Sequence, residues 1–372
     1  MFRGNLSDIL LTYRPKDDQI LSPATRVIFG HIDGTNRQIC LKMWRPCKNG
    51  LYDTEDAVKR LDYLLEGLEF NRRFAQDVYL GIASAEELNG ENSNEDTKKI
   101  QLSPVIEYPN RNQLDPELQY ALVMKRLKED WHLEHQLRPG KLGTERGLEF
   151  LATEIARMHL QLIPSPESMG NAGTIWRKLI LNEHLFAKAL SELKDQNIEN
   201  YELLGHTLTQ AYTAYAELFE QRYQEGHIKR CHGDLKSTNL WVRPKRRKSL
   251  QQLLTLDCVD FRPDFCHIDT LSDVAMLAID IEQHLVNLPG KGVNRQEGKE
   301  LTQHFLNVYL ERVHEKSEVA LPLLEYYMTE KSMVCAYMSI LYDALLPLGK
   351  KYLDVALTHS QKLEGLLKST GR

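Results

Sequence analysis

Paired cysteine motifs, long apolar runs and an excess of one charge are all missing from this sequence of 372 residues. None of its six cysteines forms the two-residue spacing of a zinc knuckle or a redox pair. The best membrane candidate, 333–348, is shorter than the roughly 20 apolar residues that a span needs, and it contains Asp343 and Pro347. We therefore expect a protein of a reducing compartment that has no membrane segment.

The charges are nearly balanced, because 47 Lys and Arg stand against 52 Asp and Glu, a net charge of −5. This balance argues against a protein whose main role is to coat nucleic acid. One basic run, 243–248, lacks interleaved aromatic side chains, so we interpret it as a solvated hairpin tip rather than a nucleic-acid site. The first residues lack the apolar core of a secretory signal, and we expect a cytoplasmic location.

The pattern of predicted elements changes near residue 125. Before it, β-prone runs surround a single helix over 54–74, and the strand candidates are 26–29, 38–43, 78–83 and 120–124. After it, long helices are predicted over 144–162, 174–193, 200–224 and from 268 onward, around a non-helical segment at 228–265. We therefore expect an α+β protein with two domains, 1–125 and 126–372.

The non-helical segment carries the most specific pattern in the sequence. It reads His232-Gly-Asp234-Leu-Lys236-Ser-Thr-Asn239, and Asp257 follows Asn239 by 18 residues. Phosphoryl transfer requires a carboxylate that accepts the proton of the attacking hydroxyl, and oxygen ligands that hold Mg²⁺ on the nucleotide phosphates. Asp234 suits the first role. Asn239 and Asp257 suit the second, because a hairpin between them would return the second carboxylate to the loop.

This pattern resembles the protein-kinase-like superfamily. Its His-Gly-Asp form is similar to the aminoglycoside phosphotransferase family, and Asp257-Cys-Val-Asp260-Phe resembles an uncharacterised bacterial branch of that family, in which Asp-Cys-Ile-Glu-Phe is usual. Asp260 thus stands where the branch has Glu. The resemblance implies a two-lobed fold, with a small antiparallel-sheet lobe bearing one helix and a larger, mainly helical lobe.

The resemblance extends to the first 130 residues. Cys40-Leu-Lys42-Met resembles the strand whose lysine binds the nucleotide phosphates. The resemblance implies a glutamate partner on the next helix, which we place at Glu66, although Glu69 is also eligible. Residues 123–127 resemble the hinge against which adenine stacks.

Four further residues receive assignments. A hairpin turn explains Gly30 and Gly34, although the resemblance would place backbone amides there over the phosphates. Lys236 is interpreted either as a contact to the transferring phosphate or as a solvated loop lysine. Asp273, on the first helix after the non-helical segment, is expected to brace the catalytic loop.

These features predict a phosphotransferase that uses ATP and Mg²⁺ and acts on a hydroxyl of a small molecule. Two alternatives stay open, a protein kinase and a scaffold that binds nucleotide without turnover. Three features argue against a protein kinase. The sequence lacks G-x-G-x-x-G, and it lacks Ala-Pro-Glu after Asp257. Roughly one hundred residues also separate the hinge from the catalytic loop, far more than in protein kinases. The sequence does not specify the acceptor, the choice between ATP and GTP, or the oligomeric state.

Overall fold

The computed structural model describes residues 9–88, 96–170, 172–193, 198–244, 251–287, 292–343 and 345–369. The chain forms two compact units, Met1–Lys128 and Glu129–Arg372. Strands dominate the first and helices the second, so the predicted α+β class is confirmed. In the described ranges, no helix combines the length and apolar character needed to cross a membrane.

The first unit is an antiparallel sheet with one long helix, α1 (Ala57–Ala75). Its described strands are β1 (Ile9–Tyr13), β2 (Gln19–Leu21), β3 (Thr25–Ile32), β4 (Gln38–Trp44), β5 (Tyr79–Leu88), β6 (Lys98–Leu102) and β7 (Tyr120–Lys125). The strand order is β1-β6-β5-β7-β4-β3-β2, and β1 pairs with β3 as well as with β6. This second pairing closes six of the strands into a ring.

The apolar core of the first unit lies inside this ring. Because successive residues of a strand point to opposite faces, β4 directs Leu41 and Met43 into the core. Lys42 and Trp44 therefore lie on the other face, against which α1 packs. The contact is direct, since the ring centroids of Trp44 and Tyr63 of α1 are 5.8 Å apart.

The predicted β3–β4 hairpin is confirmed, but its turn is shorter than expected. Gly30, which we expected in the turn, is a strand residue opposite Ile39. A Cβ atom at Gly30 would lie 2.2 Å from Cδ2 of Leu11, so the close approach of β1 explains this glycine. Gly34 does lie in the turn, and its φ of 71° is a left-handed conformation that favours glycine.

In its described residues, the second unit is mainly helical and has two small antiparallel sheets. Its described helices are α2 (Leu133–Gln136), α3 (Glu145–Gln161), α4 (Glu167–Gly170), α5 (Ala172–Glu192), α6 (Ile198–Ala214), α7 (Ala216–Gln224), α8 (Pro263–Cys266), α9 (Thr270–Asn287), α10 (Arg295–Arg312), α11 (Ser317–Leu341) and α12 (Leu346–Ser369). The sheets pair β8 (Ile228–Arg230) with β11 (His267–Asp269), and β9 (Leu240–Pro244) with β10 (Gln251–Thr255). Most of the basic run 243–248 lies outside the described residues.

The predicted helix over 200–224 is instead two helices, α6 and α7. The backbone leaves the helical conformation at Tyr215, where φ is −107° and ψ is 14°. The Tyr215 side chain is buried at this break. The break between the two helices therefore accompanies the burial of a large aromatic ring, which the helical periodicity of the sequence does not indicate.

A buried ion network connects α7, β11 and the segment before α11. Arg222 donates hydrogen bonds to both carboxylate oxygens of Asp269 and, at 2.9 Å, to Oε1 of Glu315. Arg222 and Asp269 are almost fully buried, so each charge depends on the other for compensation. Burial opposes the ionisation of Glu315, but hydrogen bonds from His227 and Arg222 lower its pKa to about 2.

We predict that this network makes the protein sensitive to acid. A carboxylate with a depressed pKa stabilises the fold above its ordinary pKa of 4.5, and this stabilisation is lost as the pH falls toward 2. Glu315→Gln should lower the free energy of unfolding by roughly 2–3 kcal/mol at pH 7, and by about 1 kcal/mol less at pH 3.5. Urea denaturation at both pH values measures the difference. Glu311→Gln, at an exposed position on α10, is the control. If Glu315→Gln lowered the free energy of unfolding by the same amount at both pH values, the prediction would be contradicted.

Candidate active site

Asp273, near the start of α9, holds the backbone of the predicted catalytic loop. Its Oδ2 atom accepts a hydrogen bond from the His232 N–H and its Oδ1 atom accepts one from the Gly233 N–H, both at 3.0 Å. His159 Nε2 donates to the same carboxylate at 3.2 Å. Burial opposes ionisation of Asp273, but the bonds from His159 and His232 lower its pKa. These contacts match the bracing role expected for Asp273.

Gly233 and His232 fix the path of the loop. Gly233 has a φ of 84°, and a Cβ atom there would lie 2.7 Å from the carbonyl oxygen of Phe265. Only glycine fits this left-handed, tightly packed position without strain. His232 is fully buried, and its Nε2 atom donates to the Leu256 carbonyl at 2.9 Å. The loop is thereby joined to the chain just before Asp257.

Three of the predicted site residues meet in this loop. Asn239 Nδ2 donates to Oδ2 and to the carbonyl oxygen of Asp234, both at 2.9 Å. Lys236 Nζ lies 3.0 Å from the same Oδ2 atom. Desolvation opposes the charge on Lys236, but the Asp234 carboxylate raises its pKa, so the side chain stays an ammonium. The Asp234 side chain is 31% exposed and is therefore open to a small molecule.

Asn239 and Asp257 offer oxygen atoms suited to a divalent cation. Because Asn239 uses Nδ2 for Asp234, its Oδ1 atom is the one left for another partner. The β9–β10 hairpin returns to this point, where the Leu256 N–H donates to the Asn239 carbonyl at 2.9 Å. Asp257 follows at an exposed position with a φ of 63°. Carboxylate and amide oxygens are ligands that Mg²⁺ accepts, so this donor set fits the ion.

A second carboxylate of α9 also contacts the loop, and the sequence reasoning missed it. Asp280 accepts a hydrogen bond from the Ser237 N–H at 2.7 Å. Burial raises the pKa of Asp280 despite this bond. Asp273 and Asp280 are seven residues apart, which places both on one face of the helix. That spacing, in the first long helix after the motif, is the feature that could have revealed Asp280.

In the first unit, Lys42 lies on the outer face of β4. Its Nζ atom is 5.4 Å from the centroid of the Trp44 ring, which contacts Tyr63 of α1. Glu66 is half-buried and follows Tyr63 by about one helical turn, so it lies on the same side of α1. The Glu69 side chain is 77% exposed. Of the two predicted partners of Lys42, Glu66 is thus the one on the face of α1 that meets β4.

His159, Cys231 and Asp273 form a buried cluster whose possible ligand atoms lie within 4.8 Å of one another. Burial raises the pKa of the Cys231 thiol well above its ordinary value, which keeps the sulfur protonated. Both oxygens of Asp273 already accept backbone hydrogen bonds. The cluster is therefore explained as part of the support of the loop.

Comparisons with known proteins reveal distant relatives. No family model matches the chain. Uncharacterized proteins of Mycobacterium tuberculosis and Mycobacterium bovis are each 24% identical to it over 247 residues, which are 65% of this chain and 42% of theirs. The chain thus spans less than half the length of these relatives.

Two of the similar solved structures are kinases. A glucosamine kinase in complex with glucosamine, ADP and inorganic phosphate is 13% identical, with a TM-score of 0.50 over 99% of this chain and 84% of that one. Plasmodium vivax ethanolamine kinase is 10% identical, with a TM-score of 0.46 over 91% of this chain and 81% of that one. At 13% identity, the likeness to the glucosamine kinase speaks for the fold alone.

We predict that the loop depends on the charge of Asp273. Asp273→Asn replaces one acceptor oxygen with an amide that faces buried donors, so it should lower the free energy of unfolding by about 2–4 kcal/mol. Urea denaturation measures the change. Asp17→Asn, at a 59% exposed position, is the control and should shift stability by less than about 0.5 kcal/mol. If Asp273→Asn lowered the free energy of unfolding by no more than the control does, the bracing role would be refuted.

Proposed function

We propose that this chain, whose fold is that of the kinase-like phosphotransferases, transfers the γ-phosphate of ATP to a hydroxyl group of a small molecule. The likeness in fold agrees with the family resemblance found in the sequence. The observation that carries the proposal is the arrangement of Asp234, Lys236 and Asn239 in one loop. We assign nucleotide binding to residues 1–125, and the catalytic loop and acceptor recognition to residues 126–372.

Asp234 is the proposed acceptor of the hydroxyl proton. Its Oδ2 atom is engaged by Asn239 and Lys236, whereas Oδ1 accepts no hydrogen bond from the described residues. The open oxygen can take the proton of a hydroxyl while the engaged oxygen fixes the orientation of the carboxylate. Lys236, as an ammonium beside this group, would counter the negative charge of the transferring phosphate.

Asn239 and Asp257 are the proposed ligands of Mg²⁺. The ion, when bound with ATP, would supply positive charge that neutralises the phosphates. Lys42 would bind the α- and β-phosphates, with Glu66 as the side chain that orients its ammonium. The turn amides at Gly34 would lie over the phosphates, whereas Gly30 has the packing role described above.

The proposed setting is the cytoplasm, and the proposed partner is a small-molecule acceptor rather than nucleic acid. All six cysteines are free thiols, as a reducing compartment would leave them. None of the thiols is part of the proposed reaction.

We predict that Asp234→Asn abolishes turnover but preserves nucleotide binding. Loss of the proton acceptor should reduce the rate of ADP release by about 10²–10⁴-fold, because proton transfer by a placed side chain contributes that much. The assay is ADP release with a panel of sugars, amino alcohols and aminoglycosides, alongside the melting temperature with Mg-ATP. Asp264→Asn, in the short helix α8 beyond the motif, is the matched control.

Each alternative function has its own outcome in that assay. A scaffold would show Mg-ATP stabilisation without ADP release for any acceptor. A protein kinase would release ADP with a peptide mixture in preference to the small molecules. ADP release that survives Asp234→Asn would contradict the proposed role of this carboxylate.

We also predict that nucleotide stabilisation depends on Mg²⁺ through Asp257. Asp257→Asn should remove most of the difference in melting temperature between ATP with Mg²⁺ and ATP alone, since a carboxylate ligand of the ion is lost. Lys42→Met should reduce the stabilisation by ATP under both conditions, because the lysine binds the phosphates themselves. Lys48→Met, at a 65% exposed position, is the control for Lys42. An Asp257→Asn protein with an unchanged Mg²⁺ dependence would exclude this carboxylate as a ligand.

A further inference from the structure

A cavity of about 540 Å³ opens on the second unit, apart from the residues assigned to phosphoryl transfer. Its walls come from the segment 130–136, from the start of α3 and from the β9–β10 hairpin, and none of Asp234, Lys236, Asn239 or Asp257 lines it. Its volume lies in the range of about 300–1,000 Å³ that is typical of small-molecule sites. A ligand in this cavity would therefore bind at a site separate from the residues assigned to phosphoryl transfer.

One buried side chain ties two walls of this cavity together. Gln136 Nε2 donates to the carbonyl oxygens of Asp130 at 2.9 Å and of Val242 at 3.0 Å. Gln136 is 9% exposed and itself lines the cavity. The hairpin wall and the segment before α2 are therefore held in place without a ligand, as in most small-molecule sites.

The cavity has an excess of positive charge. Lys141 and Arg146 both line it, and both side chains are exposed. Neither has an ion-pair or side-chain hydrogen-bond partner in the part of the chain that the structure describes. Among the described residues that line the cavity, Asp130 is the single carboxylate, so two cations face one anion.

Apolar side chains line part of the remaining surface, beside the polar Gln136, Thr144 and Gln251. Leu142 and Val242 are buried at 7% and 2% exposure, and Trp131 and Phe150 are half-buried. An inorganic anion would satisfy the two cations but would leave this surface in contact with water. A ligand with an apolar body would cover it, and each Å² of apolar surface removed from water contributes about 25 cal/mol.

We propose that this cavity binds a small organic anion, a compound with an aromatic or other apolar body and one carboxylate, sulfonate or phosphate group. Lys141 and Arg146 would bind the charged group, and Leu142, Phe150 and Val242 would contact the body. Such a ligand would also touch the hairpin that joins Asn239 to Asp257, because Val242 belongs to β9.

The test uses two fluorescent probes of similar shape, anilinonaphthalene sulfonate and its neutral relative phenylnaphthylamine. The sulfonate should bind the full chain saturably and more tightly than the neutral probe. The double variant Lys141→Ala/Arg146→Ala should weaken sulfonate binding by at least about tenfold, because two charge-assisted contacts are lost, and leave the neutral probe unchanged. Excess Mg-ATP should not displace the sulfonate.

Two further variants separate this site from general surface charge. Arg295→Ala/Lys299→Ala removes two exposed cations from the start of α10. Neither residue is among those that line the cavity, so this variant should bind both probes as the unmodified chain does. Gln251→Trp, at an exposed lining position, should block both probes by filling the cavity. Melting temperatures equal to that of the unmodified chain show that the variants are folded.

Phenyl phosphate and benzoate, added as competitors, distinguish a phosphate from a carboxylate as the preferred group, and displacement by either supports the proposal. Absence of saturable binding would overturn it. So would sulfonate affinity that is equal in the Lys141→Ala/Arg146→Ala protein and the unmodified chain, or displacement of the sulfonate by Mg-ATP.

Discussion

The geometry of the candidate active site depends on a carboxylate that lies 40 residues beyond Gly233 of the loop it supports. Two successive N–H groups, those of His232 and Gly233, point to the same side chain, Asp273. A buried loop must pair such donors with an acceptor, and no strand or helix is present there to do so. The two bonds are made with a left-handed backbone at Gly233, and this backbone sets the direction in which the next residue, Asp234, leaves the turn.

The support for Asp273 extends into the core of the second unit. Residues 270–279 of α9 are all buried, so this part of the helix has no solvent face. His159 of α3 donates to Asp273 through Nε2, and its Nδ1 atom lies 2.7 Å from the hydroxyl oxygen of Tyr309 of α10. Three helices thereby fix one carboxylate, and through it the loop. Asp280 adds a second contact from α9, at Ser237.

The parts of the structure that could be predicted from the sequence are those that local patterns determine. β-prone runs and helical periodicity located the β3–β4 hairpin and α1, and the motif with its second carboxylate 18 residues on predicted the β9–β10 hairpin. The spacing of the motif brought Asp234 and Asn239 together. What the sequence could not reveal depends on contacts between distant residues. Gly30 is small because Leu11 packs over it, the break at Tyr215 accompanies the burial of its ring, and Asp280 meets the loop across 43 positions. The roles of all the predicted site residues stay predictions, namely those of Lys42, Glu66, Asp234, Lys236, Asn239 and Asp257.

The spacing of five between Asp234 and Asn239 has a physical reason in this structure. The turn Ser237–Asn239 folds the chain back, so that the Asn239 amide reaches both the carbonyl and the carboxylate of Asp234. One side chain thus orients the proposed base through Nδ2 and would ligate the metal through Oδ1. A shorter or longer loop would separate these two functions, because the amide could not face both partners. The proposed proton acceptor and the proposed metal site are therefore coupled through Asn239, and the spacing of five residues is the loop length that places this amide against Asp234.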